Sequence, residues 1–231
     1  MIKSLLKFVS KHKFIFLVIF CGLVIGSVAI IPAINTSIRP KGKYTIVIDA
    51  GHGGRDGGSI GVNGSIEKDL NLKYAKSLQK ILLKANVNVI MTRTGDNGLY
   101  SSDASNKKLS DMRKRRDIIN DSCPDLVISI HMNSFPLDSC KGAKTFYQIG
   151  NDTSFEAAKS IQNSLHYYVD SASKTVSAGD YYILNCTKHT SVLIECGFVS
   201  SPEEEQLLNN DDYREQFVYS IYRGVILYLG I

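Results

Sequence analysis

Three short runs constrain this chain more than any other feature: TIVIDAGHGG (45–54), LVISIHMNS (126–134) and SVLIECGF (191–198). Each is a β-branched apolar stretch that closes on a residue able to bind metal or move protons: His52, His131 and Glu195. Runs this apolar read as strands buried on both faces, the pattern of a parallel sheet covered by helices. In open α/β sheets the carboxyl ends of such strands form the crevice where ligands bind.

The segments between them alternate accordingly. The first strand is expected at 44–49, and a glycine-rich loop leads from it into a helix over 68–84, with Tyr74, Leu78, Ile81 and Leu82 on one face. A strand over 87–93, a polar loop and a helix over 109–121 come next, followed by the strand ending at His131. Further strands are expected at 143–149 and 191–196, and helices at 154–169, after Pro202, and at 212–229. This order predicts an α/β fold: a mostly parallel twisted sheet flanked by helices on both faces.

Either histidine alone would be read as a hydrogen-bonded structural residue. Three strands of one domain ending in a histidine or an acid, with Glu67 opening a helix after the glycine loop, point instead to a metal site. Two histidines and one carboxylate are the ligand set of hydrolytic zinc sites that keep a fourth position open for water. A second carboxylate is then available for proton transfer. The pattern leaves open which of Glu67 and Glu195 binds metal and which acts as base. The glycines at 51, 53 and 54 are not followed by Gly-Lys-Ser/Thr, which excludes a phosphate-binding P-loop.

Charge and hydropathy place the domain outside the cytoplasm. Residues 14–34 carry no charge and are long enough to span a bilayer; Lys3, Lys7, Lys11 and Lys13 precede them. We therefore expect a basic cytoplasmic flank (1–13), a single-pass anchor (14–34), a linker (35–43) and an extracytoplasmic catalytic domain (44–231). A cleaved signal peptide fits less well, because the apolar run exceeds the usual length and no clear cleavage site follows. Without its first 34 residues the chain holds 23 basic against 22 acidic residues, so the net +5 belongs to the anchor and nothing indicates nucleic-acid binding. Of the exported cysteines, Cys196 and Cys186 read as small buried hydrophobes, and no CxxC pair suggests a thiolate zinc site.

The motifs GHGGRDGG, Glu67-Lys68-Asp69, Met91-Thr92-Arg93, SIHMNS and LIECGF occur in order. On them the chain resembles the zinc-dependent N-acetylmuramoyl-L-alanine amidases (amidase type 3), across residues 44–229. The resemblance implies cleavage of the amide between N-acetylmuramic acid and L-alanine of peptidoglycan. It implies Zn2+ on His52, Glu67 and His131, with Glu195 as catalytic base. The short apolar segment joined directly to the domain is similar to the family's sporulation-specific members. Those members strip stem peptides from spore-cortex peptidoglycan on the way to muramic-δ-lactam, which gives an expected site between the forespore and mother-cell membranes.

Further expectations follow from the resemblance. Asp49 is expected to orient a ligand from behind or to satisfy the loop. Arg93 and Arg115 read first as salt-bridged structural arginines, with binding of the stem-peptide carboxylates as the alternative. Asp56-Gly57-Gly58 replaces the family's Asp-Pro-Gly, so the loop between His52 and Glu67 is expected to be softer, and an exported accessory protein is expected to order it. Two other readings stand beside the amidase: a zinc peptidase of the same fold cutting within the stem, and a non-enzymatic wall-binding module. Retention of all four chemical residues argues against the last.

Overall fold

The computed structural model describes residues 42–136 and 140–231. The anchor expected over 14–34, the flank before it and most of the linker lie outside the described residues. Among the described residues no helix is long and apolar enough to cross a membrane.

Six strands form one sheet in the order β2-β1-β3-β6-β4-β5. They are β1 (Thr45–Ala50), β2 (Asn88–Met91), β3 (Leu126–Asn133), β4 (Lys144–Gln148), β5 (Ser177–Gly179) and β6 (Ser191–Phe198). β1 pairs in parallel with β2 and β3, and β3 with β6, while β4 runs antiparallel to β6. The three apolar runs are thus the three adjacent central strands, where burial on both faces selects β-branched residues.

Helices cover both faces. One face is packed by α1 (Glu67–Lys84), α3 (Asp152–Tyr168), α5 (Pro202–Asn209) and α6 (Asp211–Leu229). Ile46, Ile48, Ile128, Ile130, Val192 and Ile194 meet Leu78, Ile161 and Phe217 in this larger core. Tyr74 and Phe217 make an edge-to-face contact with centroids 5.6 Å apart at its centre. The other face is covered more thinly, by α2 (Lys107–Ser122) and the four-residue α4 (Tyr182–Asn185). There Val47, Val127 and Leu193 pack with Ile119, Ile183 and Leu184.

Strand alternation carries the second set of residues toward the site. Side chains two apart share a face, so Val47 precedes Asp49, Val127 precedes Ser129 and His131, and Leu193 precedes Glu195. Each strand therefore runs from apolar core to polar chemistry on its α2/α4 side. β5 and α4 have no counterpart among the expected elements, since Ser-Ala-Gly and a four-residue helix leave no periodic signal. β2 ends at Met91, two residues before the expected end, and Thr92 and Arg93 turn into the site region instead.

Ser201 caps α5, its side chain accepting from the Glu204 amide. None of Cys123, Cys140, Cys186 and Cys196 is in a disulfide, and Cys196 is buried.

The α3–α6 contact depends on Gly224. A Cβ there would lie 2.5 Å from the Ile161 Cα and 2.9 Å from the Ser160 carbonyl oxygen, both backbone atoms that cannot yield cheaply. Gly224→Ala is expected to destabilise the domain by about 1–3 kcal/mol, read as a lowered urea midpoint.

Candidate metal centre

The chain leaves β1 through a turn that its own backbone disfavours. His52 adopts φ 60°, in the left-handed region rarely used by side-chain-bearing residues, and Gly53 and Gly54 follow at 139° and 59°. Two buried arginines hold it there. Arg93 donates through Nε to the Ala50 carbonyl (2.9 Å) and through Nη2 to Gly51 (2.9 Å) and Lys68 (2.8 Å). Arg115 donates through Nη1 to Ala50 (2.8 Å) and through Nη2 to the His52 carbonyl (2.5 Å). Asn71 adds a bond to Gly51 at 3.1 Å. Three successive carbonyls are thereby fixed, and with them the direction of the His52 ring.

Of the two roles expected for these arginines, the structure shows the structural one. Arg93 is 3% and Arg115 1% exposed, and nearly all their N–H groups are committed to internal acceptors. They brace the site loop and offer no free fork to a substrate carboxylate.

Asp49 does not touch a histidine ring. Its carboxylate takes Arg115 Nη1 at 2.6 Å, Thr92 Oγ1 at 2.8 Å and Ser129 Oγ at 2.7 Å, so it reaches His52 only through Arg115. The carboxylate nearest the His52 ring is one the reading passed over: Asp56 Oδ1 lies 3.0 Å from Nδ1. At that distance the Asp56 charge favours a basic His52 imidazole, although Nδ1 makes no aligned hydrogen bond to it. The signal lay in the i, i+4 spacing within GHGGRDGG.

His52, Glu67 and His131 converge, with one ligand atom from each lying within 4.8 Å of the others. Glu67 Oε1 is the hub, 3.1 Å from His52 Nε2 and 3.0 Å from His131 Nδ1. Its Oε2 is held by the Ser59 amide at 2.8 Å. Gly51 lets the His131 ring lie across the backbone, for a Cβ there would sit 2.3 Å from Nε2. Gly58, at φ 68°, has a similar reason: a Cβ would fall 2.5 Å from Glu67 Oε2.

The electrostatics favour a cation at this point. Burial would raise the Glu67 pKa, but the hydrogen bonds and charges of His131 and His52 overcome it and hold the carboxyl far below its ordinary range. Burial would lower the His52 pKa, yet Glu67 and Asp56 outweigh it and raise the value. The cluster thus holds the donor types and local charge that suit a divalent metal.

Glu195 behaves differently. It lies beside His131 in the β3–β6 register, on the same face, and is 8% exposed. Burial is the largest influence and raises its pKa; His131 and His52 oppose this and Glu67 adds to it. Its Oε2 is buried without a hydrogen-bond partner. A cleft of about 370 Å³ opens beside His52 and His131, lined also by Arg55, Tyr100, Lys107 and Tyr181.

A mostly parallel sheet flanked by helices, with a His-Glu-His cluster and an unpaired carboxylate at its strand ends, defines a protein of the α/β class whose centre could hold a metal. The chain belongs to the N-acetylmuramoyl-L-alanine amidase family, hydrolases of cell-wall peptidoglycan, whose model matches residues 46–226. It is 36% identical to the germination-specific N-acetylmuramoyl-L-alanine amidase of Bacillus subtilis, over 83% of this chain and 82% of that protein. The CwlD amidase of Clostridioides difficile, solved in complex with the GerS lipoprotein, superposes with a TM-score of 0.78 at 36% identity, covering 81% of this chain and 98% of that one. The catalytic domain of CwlV from Bacillus (Paenibacillus) polymyxa follows at 0.73 and 26%, covering 81% and 99%. Within the family the chain resembles the CwlD type.

The Asp49–Arg115 pair makes stability acid-sensitive. Burial pushes the Asp49 pKa up, but Arg115 with the Ser129 and Thr92 hydroxyls brings it from 3.8 down to about 2. A value lowered on folding stabilises the fold above the unfolded pKa, and that contribution is lost as pH falls from about 4 toward 2. It amounts to ~2 kcal/mol. Urea unfolding across that window should show wild type losing about this much more stability than Asp49→Asn, which is already destabilised at neutral pH because buried Arg115 has lost one of its two carboxylate partners.

Proposed function

We propose that His52, Glu67 and His131 hold Zn2+ and that Glu195 is the general base in hydrolysis of the amide joining N-acetylmuramic acid to L-alanine. The observation that carries this is the orphaned Glu195 Oε2, a buried acceptor with no protein donor on the strand adjoining His131. Such an atom costs stability unless something outside the protein, here a water, donates to it. Two imidazoles and one carboxylate leave an open position, as hydrolytic zinc sites require.

Bound zinc supplies an acidified water and polarises the scissile carbonyl. The protein's own groups handle the rest. Glu195, its pKa raised by burial, accepts a proton from the attacking water and delivers it to the departing alanine nitrogen. Without that protonation an amine does not leave. Asp56 steadies His52, and the clamped turn keeps both histidines in register with Glu67. The cleft between α2 and α4 accommodates the substrate flanking the bond.

The likeness to a germination-specific amidase and to CwlD supports a role in spore-cortex peptidoglycan. The apolar run 14–34 supports a single-pass anchor with residues 44–231 outside the cytoplasm. Since the CwlD structure contains a lipoprotein, an exported accessory protein binding this domain is part of the reading.

Metal content and turnover, measured together, separate the roles. His131→Ala should lose both zinc and activity. Glu195→Gln should keep zinc and lose activity by about a hundredfold or more, because Gln bonds the water but accepts no proton. Loss of zinc from Glu195→Gln as complete as from His131→Ala would sink the mechanism. In membrane fractionation the full chain should sediment with membranes, and protease should remove the domain once the wall is opened. A mature form beginning after residue 29 and free in the medium would contradict the anchor.

A further inference from the structure

The acidic turn that opens α5 is polar enough to read as solvated surface, yet two of its three glutamates are buried. Glu203 remains exposed and pairs with Lys141. Glu204 accepts the amides of Gly142 and Phe198, each at 2.8 Å. Glu205 is 1% exposed and reaches across to the loop between His52 and Glu67. Its Oε2 accepts from the Asn63 amide (2.6 Å) and Nδ2 (3.0 Å), and its Oε1 from the Ser65 amide (2.9 Å). Among the described residues no lysine or arginine pairs with it. Burying a carboxylate is costly, and here charge-assisted bonds from loop amides offset the cost.

The loop is shaped for this contact. Gly61 and Ser65 close a tight turn through Gly61 N–H to the Ser65 carbonyl (2.8 Å), with Gly64 at φ 90° within it. A Cβ on Gly61 would stand 2.3 Å from Glu205 Oε1, so only glycine lets the carboxylate in. Asn209, also on α5, donates to Ser65 Oγ at 2.8 Å. Two residues beyond Ser65 the chain becomes α1 at Glu67. Its N-cap, Ile66, has no side-chain cap; the first amides of the helix go to loop carbonyls instead, Glu67 N–H to Ser59 and Lys68 N–H to Gly57 (3.0 Å each), while Arg93 holds the Lys68 carbonyl from the other side. The same loop supplies the Ser59 amide to Glu67 Oε2, which leaves Oε1 facing His52 and His131.

We infer that Glu205 is a positioning residue of the metal centre: by fixing the 61–65 turn onto α5 it sets the start of α1 and the direction of the Glu67 carboxylate. The inference rests on the reading that His52, Glu67 and His131 hold zinc. It gives the buried acid a purpose beyond packing, because the atoms it holds lie in a loop with little apolar material to fix it otherwise.

Zinc titration of the metal-stripped full-length chain, in competition with a chromophoric chelator, tests it. Glu205→Ala should weaken zinc binding about ten- to a hundredfold, as loss of residues supporting a ligand does. Glu205→Gln should weaken it less, since the amide oxygen still accepts one loop N–H. Glu203→Ala, one position from Glu204 and exposed, should bind zinc as wild type does. Gly224→Ala, destabilised at the α3–α6 contact, should also keep wild-type affinity, which separates positioning from general loss of stability. Hydrogen exchange supplies the second readout: zinc should slow exchange at the Asn63 and Ser65 amides in the wild type, by linkage. A folded Glu205→Ala with wild-type zinc affinity overturns the inference. If that variant does not fold, unchanged affinity in Glu205→Gln, or exchange at Asn63 and Ser65 indifferent to zinc, overturns it equally. A wild-type chain that binds no zinc removes the zinc reading itself, a distinct result.

Discussion

Two buried guanidiniums gripping the backbone at the end of β1 are what the centre depends on. Arg93 and Arg115 together satisfy the carbonyls of Ala50, Gly51 and His52, and the turn they hold puts His52 in a left-handed conformation. A residue in that region is costly alone and persists only where its surroundings over-determine it. The grip is itself anchored: Asp49 and Asp111 hold Arg115 at 2.6 Å each. An acid on β1, a base on α2 and the backbone between them thus form one buried network. Because every member is satisfied, burying the charge specifies a geometry without leaving unpaired groups.

Around that turn the sheet sorts function by face and by position along the strand. The α2/α4 face begins apolar with Val47, Val127 and Leu193, becomes polar at Asp49 and Ser129, and ends at His131 and Glu195. A one-residue slip of β3 or β6 would turn its chemical residue into the larger core, so hydrophobic burial on the opposite face protects the site's register. The two carboxylates then diverge by surroundings. Glu67 is ringed by donors and held ionised, whereas Glu195 is buried with one oxygen unpartnered and its pKa raised. Opposite shifts in neighbouring groups are the physical basis for the opposite roles proposed for them.

The loop from Gly53 to Ile66 shows how a glycine-rich segment can be specified by contacts. The change from the family's Asp-Pro-Gly to Asp56-Gly57-Gly58 suggested softness. The structure gives the segment a dense set of partners instead: Asp56 at His52, Ser59 at Glu67, Lys68 at Gly54, and Asn63 and Ser65 at Glu205. Gly58 and Gly61 are small because carboxylates occupy the space where a side chain would go.

The sequence alone determined the central strands and the longer helices around them, and singled out the four residues proposed to carry chemistry. Those signals are local: β-branched runs, 3.6-residue periodicity and motifs whose spacing survives without coordinates. Partnership was decided only in the tertiary structure. For Arg93 and Arg115 the sequence left both a structural and a substrate-binding role open, and folding turns both inward because carbonyls from a distant turn need donors. Asp49 stands three residues from His52 but bonds Arg115, while Asp56 takes the ring. Glu205 sits in an acidic run that reads as solvated, and its partners are 140 and 142 positions away. Hydrogen-bond satisfaction is a property of atoms brought together from distant segments, and no local pattern records it.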